Sequence, residues 1–103
     1  MHVSAKFADF SLWQIVLFYE NNKNLTGVNL EGCCDVTDKG VEVLATHNKN
    51  LTTVNLTYTG VTDIGVEVLA THNKNLTSVN LDDTGVSFEM INKLRNKGII
   101  VYG

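Results

Sequence analysis

The chain has 103 residues, room for one domain, and carries 44% hydrophobic residues, 18% charged residues and no proline. That composition excludes a disordered chain and fits an ordinary folded one. Eleven Asp and Glu outnumber eight Lys and Arg, for a net charge of -3, so no basic face large enough for a run of phosphates is expected, and no nucleic-acid partner.

One stretch sets the register for the rest. Gly40 to Thr52 (GVEVLATHNKNLT) recurs letter for letter at Gly65 to Thr77, 25 positions on. A fixed period in the range of about 20 to 50 residues implies units stacked on one shared core. In chain order, Met1 to Phe10 shows no clear period and is too short and polar for a signal peptide. Carrying the register back by 26 sets Ser11 on Thr37, Ile15 on Val41 and Phe18 on Leu44, which predicts Ser11 to Glu20 as the helix of a preceding half-repeat. Trp13, Val16, Leu17 and Tyr19 lie beyond the face that Ile15 and Phe18 would bury. A helix without a polar face needs cover on both sides, from Met1 to Phe10 or from a partner. It is too short to span a bilayer, and no membrane span is expected.

Three rows follow. They begin at Leu25, Leu51 and Leu76, and each opens with a short alternating stretch: Val28 and Leu30, Val54 and Leu56, Val79 and Leu81 on one side, as strand side chains alternate faces. Thr37, Thr62 and Ser87 then stand as N-caps, and Asp38 and Asp63 place negative charge at the positive helix end. Val41 with Leu44, and Val66 with Leu69, face the core at i and i+3; His47 and His72 close those helices. The last row keeps Ile91 and Leu94, and Ile99 to Tyr102 reads as a final strand, with Val101 25 positions after Leu76. The division is residues 1–24 as an N-terminal capping segment with the half-repeat helix, 25–50 as repeat 1, 51–75 as repeat 2, and 76–103 as repeat 3 with a C-terminal capping strand. An open solenoid end leaves an unpaired strand edge, closed by Tyr102 and Gly103 or by a partner, so self-association through the ends is a second expectation.

The first row, Leu25 through Val28, Leu30, Cys33, Val36, Thr37, Asp38, Gly40, Val41 and Leu44, resembles the leucine-rich repeat family, and within it the cysteine-containing subtype of F-box-type proteins. Thr59 and Thr84 replace the subtype's cysteine in the later rows, and no F-box precedes them. The resemblance implies an α/β solenoid, with a parallel sheet of short strands on the concave side and helices on the convex side. It implies an inward Cys33, with Thr59 and Thr84 in the same column bonding loop backbone. Cys33 and Cys34 are the two cysteines; as neighbours they close a disulfide only with strain, so free thiols and a cytoplasmic or otherwise reducing compartment are expected.

Chemistry is sparse. His47 and His72 share a column but lack further ligands for a metal, no phosphate loop or nucleophile elbow is present, and four N-L-T sequons follow from the repeat itself. The expectation is no enzyme, no cofactor and no metal. What remains is a grid of outward strand positions: Asn29 and Glu31; Thr53, Asn55, Thr57 and Tyr58; Ser78, Asn80 and Asp82. Asn29, Asn55 and Asn80 stack and are expected to bond laterally. In the family this concave face is the usual binding surface, so a protein or peptide partner is expected there, with Tyr58 as the aromatic anchor. The alternative is a structural subunit docked through Trp13, Val16, Leu17 and Tyr19, or through Tyr102 at the C-terminal edge.

Overall fold

A valine flanked by small or polar residues makes each strand. Val28, Val54 and Val79 sit at the middle of β2 (Gly27–Asn29), β3 (Thr53–Asn55) and β4 (Ser78–Asn80), and each is at most 3% exposed. The computed structural model describes residues 2–4 and 26–103. The helix expected over Ser11 to Glu20, and with it Trp13, Val16, Leu17 and Tyr19, lies outside the described residues.

Five parallel strands form one sheet in chain order, with β1 (His2–Ser4) at one end and β5 (Ile100–Tyr102) at the other. Parallel neighbours need a crossover between them. Here α1 (Asp38–His47), α2 (Asp63–His72) and α3 (Phe88–Asn96) supply it. The inward residues of strands and helices close on one core in which Leu30, Leu44, Leu51, Leu56, Leu69 and Leu94 are fully buried. The leucine spacing read from the sequence is therefore the packing.

Loop chemistry follows the repeat columns. Cys33 is buried, as expected, and Cys34 is exposed. In its column the Thr59 and Thr84 hydroxyls donate to Leu56 O at 2.8 Å and Leu81 O at 2.7 Å. At the far end of the helices Asn73 is 1% exposed; its Nδ2 donates to Leu69 O and its Oδ1 accepts from Leu51 N. That side chain ties a helix end to the start of the strand in its own stack.

Two features differ from the sequence reading. His2–Ser4 is a strand, pairing in parallel with Gly27–Asn29, within a stretch that shows no period. The last register also changes. Gly27 pairs with Thr53 and Thr53 with Ser78, but Ser78 pairs with Ile100, so Val101 takes the column of Val79, 22 positions before it, and not that of Leu76. The cause is the end of α3. Gly98, at φ +88, takes the left-handed conformation glycine favours; Gly98 N bonds to Arg95 O and Ile99 N to Leu94 O, a tight helix stop. The earlier units run through Asn-Lys-Asn before the next strand, and α3 does not.

The units are also latched at their helix starts. Thr62 N and Gly65 N donate to Asp38 Oδ1 at 2.7 and 3.1 Å, and the Thr62 hydroxyl donates to Asp38 Oδ2. Asp63 repeats this toward the third unit, accepting from Ser87 N at 2.6 Å and Ser87 Oγ at 2.7 Å. The side-chain and backbone bonds from Ser87 hold the Asp63 carboxyl below its usual value. A depressed folded-state pKa contributes stability above the unfolded value, about 3.9, that is lost as pH falls through the folded value. Asp63→Asn should therefore melt below the parent at about pH 6, with the difference shrinking as pH falls below the unfolded value of about 3.9. Thermal melts across that range check it, and a gap that persists at the acid end would show that the carboxylate's charge is not what the latch uses.

Candidate interaction surface

The strand faces pointing away from the helices form a shallow groove of about 260 Å³. It is lined by Val28, Asn29, Thr53, Val54, Asn55, Ser78, Asn80 and Tyr102. Five of the nine residues singled out from sequence for the open face are thus brought together there, with Tyr102 from the candidate assembly surface. Glu31, Thr57, Tyr58 and Asp82 are not among the lining; they follow the strands, on the loops along one rim.

The asparagine column works along the chain and not laterally as expected. Asn29, Asn55 and Asn80 Oδ1 accept from Glu31 N at 3.0 Å, Thr57 N at 3.0 Å and Asp82 N at 3.1 Å. Each is a local side-chain bond that turns the chain off the strand. Because the bonded partner is an N–H, the oxygen must face it. No acceptor for the asparagine Nδ2 groups is found among the described residues, and the three asparagines, each half-buried, line the groove.

Tyr102 lies on the C-terminal edge strand, as expected, and also lines the groove. Expected at an assembly edge, it pairs in register with Asn80 and stands at the end of the asparagine column, 57% exposed. Ile100 pairs with Ser78 and is equally exposed. The face thus grades from small polar side chains to large apolar ones. The free edge of β5 is partly covered from within: Arg95 Nη2 donates to Val101 O at 2.9 Å.

Tyr58 takes φ +59 and Asp83 φ +56, at the repeat positions where the first row has Gly32 at φ +77. A side chain there costs about 1 to 2 kcal/mol. Tyr58 N is held by Asp82 O at 2.9 Å, which fixes the turn, and the ring is 58% exposed. Next to it, Thr57 Oγ1 is buried with no hydrogen-bond partner.

The groove contains hydrogen-bonding groups but no acid–base pair. His47 Nδ1 lies 3.0 Å from Val43 O on its own helix, and among the described residues no three His, Cys, Asp or Glu side chains gather as metal ligands. Among the same residues no helix is long and apolar enough to cross a membrane.

Residues 21–45 and 47–70 each match the family model described as Leucine Rich repeat. No curated protein matches the chain. The match supports a leucine-rich repeat family, and the strand–helix alternation in one parallel sheet is the α/β solenoid of such repeats. Nothing in the match distinguishes the cysteine-containing F-box-type subtype.

Proposed function

From the premise of a leucine-rich repeat solenoid, we propose that this chain is a non-enzymatic interaction module that binds a protein or peptide on its open strand face. Leucine-rich repeats are in general protein–protein interaction modules. The observation that carries the reading is the groove itself: three adjacent strands offer Asn29, Asn55 and Asn80 in one column beside exposed Tyr102. Aromatic side chains in such settings tend to dominate binding energy.

The competing reading, a structural subunit joined through the bare C-terminal edge, is weakened by the Arg95 bond to Val101 O. An arginine over an edge carbonyl blocks strand addition there.

A photo-crosslinking amino acid placed at Thr53 or Ser78 on the open face, and at Glu42 or Glu67 on the exposed helix side, tests the proposal in cells. Adducts confined to the two strand positions are the expected result. Adducts at the helix positions alone would move the partner to the convex side and end this reading.

A further inference from the structure

Resting on that reading, we infer that the groove takes an extended peptide with a basic side chain at the Glu31 and Asp82 rim and an apolar or aromatic one against Tyr102 and Ile100.

The donor column argues for exposed main chain. With each Oδ1 occupied by its own backbone, what Asn29, Asn55 and Asn80 offer outward is N–H. Strands lie about 4.8 Å apart, so three such donors cover about 10 Å, the length of about three extended residues at roughly 3.3 Å each. A helical ligand keeps its carbonyls in its own hydrogen bonds except at the last turn and has little to give this column. An extended segment has carbonyls along its whole length.

Charge divides the two rims. The loops that follow the strands, residues 31–36, 57–61 and 82–86, contain Glu31, Asp35, Asp82 and Asp83 and no Lys, Arg or His. All four carboxylates are exposed, and none forms an ion pair among the described residues, where the one salt bridge joins Lys93 and Glu67 on the helix side. The loops that precede the strands carry Lys49, Lys74 and Lys97 and no acidic residue. A field of one sign along one rim orients a ligand and favours a cation beside it.

The apolar end supplies the anchor. Ile100 and Tyr102 each leave more than half their surface in water, on a strand whose outer carbonyl Arg95 already covers. Both alternate with buried Val101, which sets their side chains on the open face beside Ser78 and Asn80, and Tyr102 lines the groove.

The test is selection of dodecapeptides from a phage-displayed random library on the immobilised protein, followed by calorimetry with the synthetic peptides selected. The parent is compared with Tyr102→Ser, with Glu31→Gln/Asp82→Asn, and with Thr53→Arg, which blocks the groove. Thermal melts establish that each variant folds. The expected peptides combine Lys or Arg with an aromatic or branched aliphatic residue. Tyr102→Ser should weaken them by about 30-fold, the effect of losing one anchoring aromatic. The double charge variant should weaken them several-fold and flatten their salt dependence. Peptides that bind all three folded surface variants equally overturn both this inference and the open-face reading, as does a selection that yields no binder. Peptides that lose binding only to Thr53→Arg, or that are acidic, overturn the inference alone and leave the open face as the site.

Discussion

Replacing Gly65 by alanine is expected to destabilise the protein by about 2 kcal/mol, although glycine to alanine within a helix ordinarily stabilises by about 0.5 to 1 kcal/mol. The reason is the neighbouring helix. A Cβ on Gly65 would stand 2.5 Å from Asp38 Oδ1, 2.8 Å from Val61 Cγ2 and 3.2 Å from Asp38 Cα. The last contact is backbone, so a rotamer change cannot relieve the crowding, and α1 and α2 must separate. The separation would also stretch the bond from Gly65 N to Asp38. A fall in melting temperature of about 10 °C is the size of effect that follows for a domain of this length. A melt at or above that of the parent would show that the two helices tolerate more space than their packing indicates.

Asp38→Ala carries the second large effect, a loss of about 2 kcal/mol. Hydrogen bonds to a charged group contribute about 1.5 to 3 kcal/mol each when well formed, less where water competes. Asp38 accepts three from the following unit, and Asp63 accepts two, from Ser87 alone. Urea denaturation of both alanine variants should place Asp38→Ala below Asp63→Ala. Equal midpoints would mean that the Gly65 amide bond adds nothing.

Much of this was legible in the residues. The inward valines and leucines and the three N-caps followed from period and alternation, because each depends on neighbours a few positions away or on its copy in the next row; the burial of Cys33 followed only from the family resemblance. What escaped depends on contacts between rows. Asp38 was read as a charge complementing its own helix dipole, yet its partners lie 24 and 27 residues on. The signal that would have found them was present: aspartate opens the helix in each unit followed by another Thr or Ser cap, and Phe88 stands there in the last. That Tyr102 falls in the asparagine column and lines the groove was missed because a tight stop at Gly98 shortened the last register. His2–Ser4 was missed because three residues without flanking turn signals carry no period at all. Tyr58 stood in the Gly32 column of the alignment, where its left-handed backbone could have been suspected.

The third helix departs from the first two in one column. Met90, 8% exposed, occupies the place of Gly40 and Gly65, and α3 lies much less closely against α2 than α2 does against α1. Asp63 accordingly reaches Ser87 but not the amide of Met90, which bonds to Ser87 Oγ at 3.2 Å instead. Growth of the array is therefore directional. A unit copied from residues 51–75 and spliced in after Asn75 would find an aspartate behind it and a serine cap ahead, with glycine where its own helix must nest. The same unit attached beyond Tyr102 would meet a helix that opens with Phe88, where the earlier helices have the latching aspartate. The aspartate latch can therefore be repeated by insertion after Asn75, whereas Phe88 and Met90 alter it in the third unit.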